Sequence, residues 1–98
     1  MYEDEPFELP IDGCLDLHAF APRDVTSVVE EYLEQCRARG ILRVRIVHGR
    51  GKGVQRPAVR RLLATLPFVL SSEDAPPALG GWGATLVSLR VPDHARGI

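Results

Sequence analysis

The spacing of apolar residues along the first half of the chain changes twice and predicts three elements. Residues 11–18 alternate between apolar and polar side chains, which predicts a strand with Leu15 and Leu17 on its inner face. Between residues 25 and 36 apolar side chains recur three and four positions apart, which is typical of an amphipathic helix that ends at Gly40. Residues 41–48 alternate again and predict a second strand.

The second half of the chain predicts a shorter helix and two more strands. Pro57 is expected to open the helix, which ends before Pro67. Its inner side carries Val59, Leu62, Leu63 and Leu66. We expect a third strand at residues 68–70, a long loop at residues 71–83 and a fourth strand at residues 84–91.

The resulting order, βαβαββ, predicts an α/β fold: an α+β sandwich in which two helices pack on a four-stranded mixed sheet. A helical crossover makes the first two strands parallel, so both end at the same edge of the sheet, which we call the carboxyl edge. Residues at these two ends lie about 5 Å apart if the strands are neighbours, or about 10 Å apart if one strand intervenes. Ligands of open α/β sheets collect at this edge.

The composition fits one compact domain, since 45% of the 98 residues are hydrophobic and 26% are charged. We divide the chain into an acidic lead-in (1–10), the domain itself (11–90) and a polar tail (91–98). No apolar run is long enough to span a bilayer, and the acidic start does not resemble a signal peptide. Cys14 and Cys36 are expected to be core thiols rather than a disulfide, which favours a cytoplasmic protein without membrane contact.

Charge is distributed unevenly along the chain. Ten of the thirteen acidic residues lie in residues 1–34, whereas nine of the twelve Lys and Arg residues lie in residues 37–61, which we call the basic segment. A basic block in a protein of net charge −1 indicates a local surface for anions. The alternative is a solvated face whose arginines pair with glutamates of the first helix, namely Glu30, Glu31 and Glu34.

The basic segment contains a glycine loop, residues 49–53, between the second strand and the second helix. It consists of Gly49, Arg50, Gly51, Lys52 and Gly53, and Arg56 follows shortly after. Backbone N–H groups in such a loop can hold a phosphate, and the interleaved cations favour that interpretation over a plain turn. The spacing matches neither the dinucleotide fingerprint nor the P-loop, so we expect no nucleotide cofactor.

Two histidines and a carboxylate are predicted to lie near this loop. Asp16 and His18 project from one side of the first strand, and His48 ends the second strand. A carboxylate beside an imidazole can orient a general base or hold a divalent metal. The alternative is that Asp16 caps the following turn and that His18 has only a structural role.

Three stretches together resemble the small MutS-related (Smr) domain family. They are LDLH at residues 15–18, VHGRG at residues 47–51 and GGWGATLV at residues 80–87. The resemblance spans residues 11–90 and implies a fold similar to the C-terminal domain of translation initiation factor 3. It also implies nucleic-acid binding and, in many members, endonuclease activity on DNA or on messenger RNA at stalled ribosomes. The family usually has glycine after LDLH, where this chain has Ala19.

We therefore expect an endonuclease whose catalytic residues are Asp16, His18 and His48. His18 would take the proton of the nucleophile, and His48 would protonate the leaving oxygen or position the glycine loop. Cleavage of RNA through its 2′-hydroxyl needs no metal, whereas cleavage of DNA by water favours a divalent cation, Mg²⁺ or Mn²⁺, that is not tightly bound. The alternatives are a nucleic-acid-binding module without cleavage and a protein-interaction domain that uses Trp82.

Overall fold

The computed structural model describes residues 11–49 and 55–92, which form four strands and two α-helices. In chain order these are β1 (Cys14–Asp16), α1 (Val25–Ala38), β2 (Arg43–Val47), α2 (Gln55–Thr65), β3 (Val69–Asp74) and β4 (Ala84–Leu89). The predicted order βαβαββ is confirmed. The lead-in at 1–10 and the end of the tail at 93–98 lie outside the described residues.

The four strands form one mixed sheet in the order β1-β2-β4-β3. β1 and β2 are parallel neighbours, and β4 runs antiparallel to both β2 and β3. Asp16 pairs with Val47, so the last residues of β1 and β2 are direct neighbours at the carboxyl edge. This confirms that the first two strands are parallel. Because they are neighbours, their ends are separated by the shorter of the two expected distances, about 5 Å.

Both helices pack on one face of this sheet and form a single core with it. The core cluster contains Leu15, Leu17, Val25, Val29, Tyr32, Leu33, Cys36, Val44, Ile46, Val59, Leu63, Val87 and Leu89. These positions follow the predicted periods, every second residue in the strands and every third or fourth in the helices. Burial of this apolar surface is the main term that stabilises the fold.

The opposite face of the sheet, which we call the open face, carries side chains that are exposed or half-buried. Cys14, Arg45 and Leu86 lie side by side on it, because they are direct partners across β1, β2 and β4. A short turn at Pro77–Leu79 folds over one part of this face, since Leu79 O accepts a hydrogen bond from Arg45 Nη1. Cys14 is exposed because it lies on this open face, so the prediction that it belongs to the core was wrong. Cys36 is buried, and both thiols are free.

All four strands differ from the prediction at one end or both, and the ends of β1 and β3 differ for clear physical reasons. β1 ends at Asp16 rather than at residue 18, because the Asp16 side chain accepts the His18 N–H and starts a 3₁₀ turn at Leu17–Ala19. β3 extends to Asp74, although residues 71–83 were predicted to be loop. Its polar residues are held in the strand by backbone pairing with β4, a contact that local periodicity does not show.

We expect Leu33→Ala, which truncates a fully buried side chain of α1, to lower the free energy of unfolding by about 2–5 kcal/mol. The neighbouring substitution Glu34→Ala changes an exposed position and should stay within about 0.5 kcal/mol of the wild type. Urea denaturation of both variants measures the difference. Equal stabilities would show that α1 does not pack on the sheet as described.

Candidate functional site

The carboxyl edge of β1 carries an exposed carboxylate and an exposed imidazole in direct contact. Asp16 Oδ1 accepts the His18 backbone N–H at 2.9 Å and lies 2.6 Å from His18 Nδ1. The 3₁₀ turn that follows β1 makes both contacts possible, because it folds His18 back over Asp16. The two side chains are 63% and 64% exposed, so a solute can reach them.

The same contacts define which nitrogen of His18 is basic. The backbone N–H of His18 lowers the pKa of Asp16, and the His18 ring and the Arg45 charge add to this effect. Asp16 is therefore an ionised acceptor at neutral pH, and the neutral His18 ring carries its proton on Nδ1. This leaves a lone pair on Nε2, the atom that can take a proton from a bound molecule.

His18 Nε2 lies against the first residue of the glycine loop. A Cβ atom added at Gly49 would lie only 2.8 Å from Nε2, and the φ angle of Gly49 is +82°. The backbone conformation therefore favours glycine at this position, and any side chain there would displace the His18 ring. The structure thus brings the predicted pair Asp16–His18 and the start of the glycine loop together at one place.

The backbone of residues 48 and 49 is anchored to the turn before β4. Gly83 O accepts the N–H of His48 at 3.0 Å and the N–H of Gly49 at 2.8 Å. The Gly49 N–H is therefore not a donor for a ligand, and a predicted phosphate site depends on Arg50, Gly51, Lys52 and Gly53, which lie outside the described residues. Gly83 was not among the predicted site residues, although it lies in the GGWGATLV stretch.

His48, the third predicted catalytic residue, is only 6% exposed. Its Nε2 lies 2.9 Å from Thr85 Oγ1, and its Nδ1 lies 3.3 Å from Gly49 O. Burial lowers the pKa of His48, and the nearby cations of α2, Arg56 and Arg60, act in the same direction. A neutral ring that donates from Nδ1 to Gly49 O and accepts from the Thr85 hydroxyl satisfies all of these contacts.

Arg56, a predicted phosphate ligand, contacts a carboxylate in the structure. Its Nη2 lies 2.5 Å from Asp74 Oδ1, and Arg60 Nη1 lies 3.1 Å from the same oxygen. The hydrogen bond from Arg56 is the main cause that lowers the pKa of Asp74. Among the described residues, the ion pairs of the basic segment join Arg56 and Arg60 to Asp74 of β3. None of them joins an arginine to the glutamates of α1.

The structure gives two further results on ligands and membranes. Residues 11–49 and 55–92 contain no group of three or more His, Cys, Asp or Glu side chains arranged to hold a metal ion. Asp16 is the carboxylate that a cation near His18 would meet first. Over the same residues, neither helix combines the length and the apolar character needed to cross a membrane.

Comparison with known proteins places this arrangement in a family. The family model described as the Smr domain matches residues 15–90, which include the LDLH stretch, the glycine loop and β4. The chain belongs to the Smr domain family. The resemblance of its three motifs to this family is confirmed, and in this Smr domain the residue after LDLH, Ala19, fits a 3₁₀ turn whose φ angles are negative.

Several relatives of this Smr domain are much longer proteins. Endonuclease MutS2 of Thermus thermophilus is 40% identical over 76 residues, and Endonuclease MutS2 of Thermomicrobium roseum is 41% identical over 81 residues. These alignments cover 78% and 83% of this chain but 10% of either relative. The chain thus spans about a tenth of the length of the curated relatives it matches.

Two solved structures share the fold. The crystal structure of the Smr domain of Thermus thermophilus MutS2 has a TM-score of 0.75 at 39% identity and covers 79% of this chain and 96% of its own. The crystal structure of YdaL, a stand-alone small MutS-related protein from Escherichia coli, has a TM-score of 0.76 at 28% identity. It covers 87% of this chain and 70% of its own, so the expected fold class is confirmed.

The contact between His18 and Gly49 can be tested with a pair of glycine substitutions. Gly49→Ala and Gly40→Ala both force alanine into a left-handed backbone, but an added Cβ contacts His18 only at Gly49. We expect both variants to lose about 1–2 kcal/mol of unfolding free energy. Only Gly49→Ala should shift the ¹⁵N and ¹H resonances of the His18 ring. Identical His18 spectra in the two variants would contradict the contact.

The burial of His48 predicts a pH dependence of stability. Because its pKa is lower in the folded protein than the ordinary value of 6.5, the unfolded chain binds the proton more readily. The contribution of His48 is therefore complete above about pH 6.5 and is lost as the pH falls from there toward its folded pKa. We expect the unfolding free energy to fall between pH 7 and pH 5, and to fall less in His48→Gln. Parallel pH profiles would contradict a buried neutral His48.

Proposed function

We propose that this Smr domain is an endonuclease that cleaves phosphodiester bonds of nucleic acid, with Asp16 and His18 as its catalytic pair. The observation that carries the proposal is the exposed His18 ring, oriented by Asp16 and lying over Gly49 at the start of the glycine loop. Relatives with similar domains are named endonucleases, which supports the same activity here.

In the proposed mechanism His18 Nε2 takes the proton of the attacking hydroxyl or water as the new P–O bond forms. The Asp16 carboxylate then stabilises the imidazolium through the bond to Nδ1. Arg50, Lys52 and the N–H groups of residues 51–53 would face the charge that develops on the phosphate oxygens. Water supplies a proton to the leaving oxygen, which departs as the old P–O bond breaks.

Of the two roles expected for His48, this proposal adopts the positioning of the glycine loop. Since it is buried between Thr85 and Gly49, it holds the loop backbone in place rather than acting as the acid. Arg56 can bind a phosphate only if it releases Asp74 or contacts both groups at the same time. The predicted roles of the remaining loop residues stay predictions.

The substrate and the metal requirement follow from the choice of nucleophile. If the substrate is RNA, which includes messenger RNA at ribosomes, the 2′-hydroxyl attacks and leaves a 2′,3′-cyclic phosphate. If the substrate is DNA, water attacks, and Asp16 would help to hold a divalent cation such as Mg²⁺ or Mn²⁺ that lowers the pKa of this water. The two free thiols are compatible with action in the cytoplasm.

A second candidate function is nucleic-acid binding without cleavage. It is favoured by exposed arginines of the basic segment such as Arg39 and Arg43, which attract phosphates whatever the catalytic pair does. A third candidate, protein interaction through Trp82, rests on a side chain that is 47% exposed in the turn before β4.

The catalytic proposal is tested by Asp16→Ala and His18→Ala, singly and together. We expect each change to lower the rate of cleavage by about 10²–10⁴-fold, because a general base contributes about that much. Initial rates on single- and double-stranded DNA and RNA, each with and without EDTA, measure the effect and reveal the substrate and any metal requirement.

Asp24→Ala is the matched control, since it removes an exposed carboxylate near the start of α1 whose side chain caps no backbone group. It should cleave like the wild type. Full activity of the Asp16/His18 double variant would sink the assignment of this pair. If the wild type binds all four substrates and cleaves none, the binding module is the correct function.

A further inference from the structure

A groove on the open face of the sheet lies next to the proposed cleavage site and has no role in it. It has a volume of about 250 Å³ and lies between the middle of β2 and the Pro77–Leu79 turn. Its lining consists of Gly13, Arg43, Val44, Arg45, Leu79 and Leu86. Two guanidinium groups and two leucine side chains thus surround a space that is comparable in size to one planar ring system.

The guanidinium group of Arg45 is held in a fixed orientation in this groove. Its Nη1 donates to Leu79 O at 3.0 Å, and its backbone pairs with Cys14 on one side and Leu86 on the other. A guanidinium plane held in this way is a surface on which a nucleobase can stack. Leu79 and Leu86 supply apolar contacts beside it, and Leu79 is itself 44% exposed.

The groove is continuous with the catalytic pair. Cys14, the partner of Arg45, precedes Asp16 by two residues, which is about 6–7 Å along a strand. Arg45 is also one of the charges that lower the pKa of Asp16. A nucleotide chain that places one phosphate at His18 therefore reaches the groove with an adjacent nucleotide.

The charges on the open face also favour one path for a bound nucleic-acid strand. Arg43 and Arg45 project from β2, whereas Glu73 of β3 lies beyond Leu86 on the same face. On this face a phosphate backbone is attracted to Arg43 and Arg45 and repelled by Glu73. The arginines complement the charge of a nucleic-acid strand along the direction that leads to Asp16.

We propose that this groove binds an unpaired nucleobase of the strand to be cut, so that the domain acts on single-stranded nucleic acid. The inference rests on the proposed function and names its substrate class. In a duplex both faces of a base are covered by its neighbours and its edge is paired, so the base cannot enter the groove without being unstacked. In a single strand the same base stacks on Arg45 while its phosphate contacts Arg43.

The test is a binding measurement by fluorescence anisotropy on labelled oligonucleotides of about ten nucleotides, single-stranded and as a duplex of the same sequence. We expect the wild type to bind the single strand at least about tenfold more tightly than the duplex. Arg43→Ala and Leu79→Ala should each weaken single-strand binding by about fivefold or more. Arg43→Ala should also lower the slope of log affinity against log salt by about one.

Arg61→Ala is the matched control, because it removes an exposed arginine of the same basic segment from α2, away from the open face. It should bind the single strand within about twofold of the wild type. Circular dichroism verifies that all variants fold, which is expected since Arg43, Leu79 and Arg61 are exposed.

Two outcomes would overturn the proposal: equal affinity of the wild type for duplex and single strand, or loss of affinity in Arg43→Ala and Leu79→Ala that does not exceed that in Arg61→Ala. Failure of the proposed function is a separate result, because it is read from cleavage and not from binding. If the wild type binds single strands through Arg43 and Leu79 but cleaves nothing, the catalytic proposal is wrong and the proposal for the groove stands.

Discussion

The close approach of the His18 ring to Gly49, where an added Cβ atom would lie 2.8 Å from Nε2, is the constraint on which the candidate site depends. It joins the end of β1 to the start of the glycine loop, two segments separated by a helix and a strand in the chain. Parallel pairing of β1 with β2 brings these segments together, and the Asp16 carboxylate turns the ring toward Gly49. Any side chain at residue 49 would occupy the space of His18 Nε2.

The two histidines of the site, His18 and His48, differ in exposure because their surroundings differ. His18 is exposed on a 3₁₀ turn and has its Nδ1 bound to a carboxylate, so its other nitrogen faces solvent and the loop. His48 follows the last residue of β2, and Thr85 of β4 and the backbone of Gly49 enclose it. In the proposed function the same residue type therefore acts as a base in one place and positions the loop in the other. Burial, rather than motif membership, separates these roles.

Much of this arrangement could be predicted because it depends on local patterns. The alternation around Leu15 and the helical period from Val25 to Cys36 determine the elements, and the crossover rule then makes β1 and β2 parallel. From that step the proximity of Asp16, His18 and residue 49 follows without any structure. The exposed groove beside Arg45 could not be predicted, since it exists only where the Pro77–Leu79 turn folds over the sheet.

The errors of prediction arise from contacts between residues distant in the chain. β3 extends through polar residues because β4 supplies its hydrogen bonds, and Arg56 meets Asp74 because α2 packs beside the end of that strand. Cys14 was assigned to the core, although its face of β1 has no helix above it. The alternation along β1 puts Cys14 on the face opposite Leu15, so its assignment to the core followed the residue type and not the position.

The most direct test of the central claim is ¹⁵N NMR of the histidine rings with and without an oligonucleotide whose backbone resists cleavage. We expect the neutral His18 ring to carry its proton on Nδ1, and bound nucleic acid to shift its Nε2 resonance while the His48 ring changes little. A His18 ring protonated on Nε2, or a ligand that shifts His48 and leaves His18 unchanged, would contradict it.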